Sequence, residues 1–149
     1  MTICSNRAVG FFALLMLALS MNVLASGSHA VTAQAAWIRE VPPQSTVAAA
    51  FVELRNEGDQ AQRVVALASP LAARVEWHDM RHVNGRMEMS QRLHPELPAG
   101  SRTTLAPMGS HLMLLGLKQP LRVGMKVPLS LTLASGQTVS MLAEVRPTL

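Results

Sequence analysis

The pair Asn84-Gly85, set between two runs of alternating character, constrains the fold of this chain more than any other stretch. A two-residue type I′ turn needs positive φ at both central positions, which Asn and Gly accept, and its twist matches that of the strands it joins. Such a turn sets Val83 opposite Arg86, His82 opposite Met87, Met80 opposite Met89 and His78 opposite Gln91. Side chains alternate along a strand, so His78, Met80, His82, Met87 and Met89 share one face. His78 and Met89 become diagonal neighbours, about 7–8 Å apart at the backbone, within reach of each other's long side chains. A bulge in the turn would shift this register by one.

The rest of the chain reads the same way. A first strand is expected near Trp37 to Val41, with Val31 to Ala36 as a lead-in of small residues, and Pro42-Pro43 ends it. Thr46 to Arg55 stops at the turn Asn56-Glu57-Gly58-Asp59, and Gln62 to Ala68 stops at Ser69-Pro70. Ala72 to Val83 and Arg86 to Leu93 form the hairpin. His94 to Gly100, with two prolines and a glycine, reads as loop. Ser101 to Leu105 is short, Ser110 to Leu117 is apolar on both faces and so a central buried strand, and Val127 to Ala134 and Thr138 to Arg146 close the set. No stretch carries the period of a long amphipathic helix. Many short strands at regular spacing predict an all-β domain over residues 31–149, a β-sandwich or Greek-key barrel.

Residues 1–25 read as a signal peptide. Arg7 supplies the positive end, Phe11 to Leu19 the apolar stretch, and Val23-Leu24-Ala25 a small-residue cleavage pattern, with Ser28-His29-Ala30 a second place to cut. The rival reading is an uncleaved anchor, since Ala8 to Ala25 is nearly long enough to span; Ser20, Asn22 and the cleavage pattern favour removal. Cys4 is the only cysteine and precedes the apolar stretch, so lipid attachment is not expected and the exported chain has no thiol. A periplasmic, monomeric protein is expected, touching a membrane only through its leader.

Four residues can act as soft metal ligands at spaced positions: His78, Met89, His111 and Met113. His111 and Met113 share a strand face. Imidazole with thioether and no thiolate suits monovalent copper better than zinc, calcium or magnesium. A single Met is ordinarily a packing residue, and Met108, Met125 and Met141 are read so. His82 and His94 read as solvated. Met80 and Met87 lie on the ligand face by register, as flanking residues or alternative sulfurs. Trp77 is expected on the opposite face. Glu76 and Asp79 are expected in solvent or orienting an imidazole.

The pattern H-x10-M-x21-H-x-M formed by these four residues resembles the signature of the PCu(A)C family of periplasmic copper chaperones. The likeness extends to A-A-A-F-V-E-L-R-N-E-G-D at 48–59, A-R-V-E-W-H-D-M at 73–80, L-P-A-G at 97–100 and H-L-M-L-L-G-L-K at 111–118. It implies a cupredoxin-like barrel and one Cu(I) per chain at His78, Met89, His111 and Met113. It also implies delivery towards the CuA centre of cytochrome c oxidase, directly or through a Sco-type protein. Some relatives add a His/Met-rich C-terminal tail with a second site; no such run precedes Leu149.

Other functions fit less well. Charged residues make up 15% of the chain and its basic residues are scattered, with three Phe and two Trp, so the clustered basic stripe and stacking platforms of a nucleic-acid surface are missing. A blue-copper electron carrier needs a thiolate. No Ser/His/Asp or Cys/His pattern points to an enzyme. A copper-scavenging or storage protein, or a metal-free interaction sandwich, remain the alternatives, and the last leaves the sulfur-rich face unexplained.

Overall fold

The computed structural model describes residues 30–148; the leader and its cleavage lie outside them. The described chain is built of strands: β1 (Val31–Arg39), β2 (Val47–Asn56), β3 (Gln62–Ala68), β4 (Ala72–Val83), β5 (Arg86–Gln91), β6 (Glu96–Leu97), β7 (Arg102–Leu105), β8 (His111–Leu117), β9 (Lys126–Leu133) and β10 (Thr138–Arg146). They hydrogen-bond in the order β5-β4-β8-β2-β1-β10-β9-β3-β6, with β7 beside the far end of β2. All neighbours are antiparallel except β1 and β10. Across the short connection at 69–71, β3 also touches β4, so the strip curls round a single core.

That core follows from alternation. In β2, Ala48, Ala50, Val52 and Leu54 point inward; Leu112 and Leu114 of β8, Val75 and Trp77 of β4, and Val127, Leu129, Leu131 and Leu133 of β9 meet them. Such residues are the main favourable term, at about 25 cal/mol per Å² of apolar surface removed from water. β8 is central, between β4 and β2, as its apolar sequence predicts. Gly116 keeps it there: its φ is +67°, and a Cβ would sit 2.8 Å from that of Ala73 on β4.

Three elements depart from expectation. β1 begins at Val31, not near Trp37, and carries a bulge between Gln34 and Trp37 with Ala35 at φ +50°. The extra residue flips the face. Val31 and Ile38 point inward, and Trp37 is left on the outer side opposite Phe51. The segment read as loop contains β6, because Glu96 and Leu97 pair with β3 and Leu97 fills the core. β5 ends at Gln91, two residues short of expectation.

Candidate metal centre

The hairpin register is the one that Asn84-Gly85 predicts. Their φ values are +49° and +78°, and Val83 pairs with Arg86, His82 with Met87, Met80 with Met89 and His78 with Gln91. His78 and Met89 are therefore diagonal neighbours on one face. On the other edge of β4, β8 brings His111 directly opposite His78 and Met113 opposite Glu76. One face of β5-β4-β8 thus presents all four of His78, Met89, His111 and Met113, with Met80 between them and Met87 farther out along the ribbon.

The two imidazoles are held in place from behind and from the side. Their ring centroids lie 5.8 Å apart at 54°. With metal–nitrogen bonds of about 2 Å, rings at that separation can share one ion. Glu76 Oε2 lies 2.9 Å from His78 Nε2. An ionised carboxylate only accepts, so Nε2 carries the proton and the lone pair is left on Nδ1. That Nδ1 is buried and has no hydrogen-bond partner. His111 Nδ1 lies 3.1 Å from the Gly109 carbonyl, which likewise puts the proton there and leaves Nε2 free. Ligating histidines characteristically donate their other N–H to a carboxylate or carbonyl. An orphaned buried ring nitrogen is costly unless something binds it.

Among the described residues no three His, Cys, Asp or Glu side chains gather as a metal site, so an ion held here would draw on thioethers as well. The sulfurs are far less enclosed than the rings. His111 is 7% exposed, whereas Met89 is 51% exposed; Met113 and Met80 are half-buried.

The hydrogen bond from His78 holds the Glu76 carboxyl below the usual carboxylate range; partial burial opposes this and the Arg74 guanidinium adds to it. Asp79 corrects the sequence reading. It points to the core side, is 4% exposed, and has its bonds to Ser110, Trp77 and Arg92 and not to an imidazole. It accepts from Ser110 Oγ at 2.7 Å and Trp77 Nε1 at 3.2 Å, and pairs with Arg92 Nε at 2.6 Å. Burial pushes its carboxyl up, but Ser110, Arg92 and Trp77 more than offset that, so it sits below its ordinary value. Asp79 follows His78 and Ser110 precedes His111, so this cluster ties the strands that carry the two imidazoles together behind the rings.

Trp77 packs inward as expected, and Met125 and Met141 lie against the core. His82 and His94 are exposed. Met108 is not a packing residue: at φ +68° in the turn before β8 it is 75% exposed. Sequence reasoning also missed Phe51, which stacks under Trp37 and whose ring lies 6.4 Å from that of His111. The Trp37–Phe51 pairing depends on the β1 bulge, for which the sequence carries no signal.

Residues 31–145 match the model of the LpqE-like family, which is described as "Putative lipoprotein LpqE-like". Lxx21020 of Leifsonia xyli subsp. xyli (strain CTCB07), also named as a lipoprotein, is 36% identical over 104 residues, which cover 69% of this chain. The chain spans 61% of the length of that relative. Among solved structures, the CuI form of DR1885 from Deinococcus radiodurans is 35% identical with a TM-score of 0.60, over 81% of this chain and 83% of that one. The copper-bound PCuAC domain from PmoF2 has a TM-score of 0.67 at 23% identity, over 80% of this chain and 94% of that one. The architecture is the cupredoxin-like β fold of these domains.

Proposed function

We propose, from the premise that this chain belongs to the LpqE-like family of PCuAC-type proteins, that it carries copper outside the cytoplasm and hands it to an acceptor. The cargo is one Cu(I) per chain, held by His78 Nδ1, His111 Nε2 and the sulfurs of Met89 and Met113. One observation carries the reading. Two neighbouring imidazoles each have one nitrogen tied to an oxygen acceptor, and the remaining nitrogen of His78 is buried without a partner on a face that otherwise offers thioether. Soft sulfur with imidazole selects monovalent copper over harder ions. DR1885 in its CuI form supports the same cargo.

The mechanism is binding and handover, with no bond made on a substrate. The enclosed imidazoles shield the ion from water, while the exposed Met89 lets an acceptor thiol or thioether approach and replace ligands one at a time. The acceptor pathway we favour is the CuA centre of cytochrome c oxidase, reached directly or through a Sco-type thiol protein. The leader read over residues 1–25 would place the protein in the periplasm, where we take it to act as a monomer.

The test is to load the protein with Cu(I), mix it with an apo CuA domain or an apo Sco-type protein at neutral pH, and follow the copper. Transfer to either acceptor within minutes is expected. Complete retention over hours would make the protein a copper store. Failure to compete for Cu(I) at all, or tighter binding of zinc, would end the copper reading itself.

A further inference from the structure

The outer face that carries the imidazoles continues past His111. Phe51 is 3% exposed but stands apart from the inward-facing core, because it is covered from outside. Trp37 lies over it with ring centroids 4.5 Å apart, and the Arg39 guanidinium sits 5.6 Å from its centre. Trp37 in turn carries the Arg146 guanidinium at 5.8 Å. Beside this stack opens a largely apolar cleft of about 480 Å³, lined by Trp37, Arg39, Pro107, Arg146, Pro147 and Thr148. Pro107 belongs to the same turn as Gly109, which holds His111, so the cleft and the candidate metal centre share a wall.

Arg39 and Arg146 are register partners on the parallel pair β1–β10. Like charges directly opposite on neighbouring strands repel, so this pairing does not favour the sheet. Both residues are exposed, and neither enters an ion pair among the described residues. Glu144, the register partner of Trp37, is the nearest carboxylate along β10 and pairs with neither. The aromatic rings instead hold the two planar guanidiniums in place, an arrangement that leaves their N–H donors without a carboxylate partner among the described residues.

Two guanidiniums fixed beside an apolar floor suit a carboxylate carried on an apolar body. Arginine forks grip carboxylates through paired, charge-assisted hydrogen bonds, and Trp37, Pro107 and Pro147 accept the apolar part. We propose that this cleft binds a carboxylate-bearing apolar segment of a partner protein and docks that partner beside His111. An anionic membrane offers the same charge, but a concave site of this size fits a projecting side chain, not a plane. That the partner is the copper acceptor rests on the function proposed above; the cleft's ligand class does not.

The two tryptophans allow a direct test on copper-free protein. Trp77 is 2% exposed and remote from solvent, so a ligand-dependent change in emission reports on Trp37. The probes are a short leucine-rich peptide with two glutamates, its glutamine counterpart, and phosphatidylglycerol vesicles. The glutamate peptide should shift the emission saturably, and binding should weaken about tenfold or more in the double variant Arg39→Gln/Arg146→Gln, as expected for lost charge-assisted bonds. Arg55→Gln, which removes a guanidinium already paired with Glu57, should bind like the parent. Equal binding of the glutamine peptide, undiminished binding by the double variant, or a response to vesicles alone would each overturn the proposal. Because no copper is present, failure here leaves the metal reading standing, and a protein that binds no copper can still bind the peptide.

Discussion

The two halves of β4 live in different surroundings. From Ala72 to His78 the strand is paired to β8, its inward residues Val75 and Trp77 fill the core, and its outward residues Glu76 and His78 are half-buried. From Met80 to Val83 it pairs only with β5, whose six residues are all exposed. The candidate centre straddles the boundary. Its imidazoles come from the braced half and from β8, and Met89 comes from the free ribbon. In the handover proposed above, the enclosed part would fix geometry and keep water out, and the exposed part is where a ligand would be exchanged. A site built wholly on the braced side would hold its ion too well to pass it on, and one built wholly on the ribbon would not order its ligands.

The sharpest way to break this contrast is to remove the brace. Asp79→Ala leaves Arg92, Ser110 and the buried Trp77 indole without their acceptor, and should lower unfolding stability by about 3 kcal/mol, the scale of leaving a buried N–H unsatisfied and losing further hydrogen bonds to a charged acceptor, while the exposed Arg92 returns to solvent. Glu88→Ala on the exposed ribbon should change stability by less than about 0.5 kcal/mol. Urea unfolding of both variants checks this, and equal losses would show that the halves are not distinct. The sign with pH also follows. The Asp79 carboxyl titrates below its ordinary value in the folded protein, so its contribution is complete above about pH 4, the unfolded value, and fades as pH falls through the lower folded value. The stability gap between the parent and Asp79→Asn should therefore close in acid.

A smaller effect is expected at the rings. His111→Ala removes a proposed ligand and should weaken Cu(I) binding by on the order of a hundredfold, while Glu76→Gln keeps a hydrogen-bond acceptor but loses the charge and should weaken it about tenfold. A competition titration against a Cu(I) chelator reads both. If Glu76→Gln matched His111→Ala, Glu76 would be a ligand in its own right and not the group that orients His78.

How much of this was legible in the sequence divides along the same boundary. The β4–β5 register is local: Asn84-Gly85 dictates the turn, and the turn dictates every pair from Val83–Arg86 to His78–Gln91. The strands Gln62–Ala68, Ala72–Val83 and Thr138–Arg146 end where alternation meets Gly, Pro or Ser, and so could be bounded. The pairing of His78 with His111 is not local. It depends on β8 choosing β4 as neighbour across β5, β6, β7 and their connections, and no short-range signal carries that choice. Asp79 was misread for a related reason. Strand alternation puts it opposite His78, but a carboxylate on the core side becomes intelligible only when Ser110 and Arg92 arrive from elsewhere to satisfy it. The bulge at Ala35 is likewise invisible, since alanine is a poor advertisement for positive φ.

The finest distinction lies within the ribbon itself. Met89 is diagonal to His78 and Met87 is one pair farther out, opposite His82, yet both are exposed and both flank the same face. Leucine preserves the volume and apolarity of methionine, so Met89→Leu and Met87→Leu should each keep the fold within about 1.5 kcal/mol. Only loss of the Met89 sulfur should lower Cu(I) affinity, and since the imidazoles and Met113 remain, the decrease should be smaller than for His111→Ala. The same change should speed handover to a thiol-bearing acceptor, because in the proposed mechanism Met89 must leave first as the acceptor approaches from the open side. Met87→Leu should leave affinity unchanged. Cu(I) competition and stopped-flow transfer measured side by side decide it. Equal losses from the two variants would mean that the ribbon contributes a diffuse sulfur surface and that Met89 has no assigned place in the site.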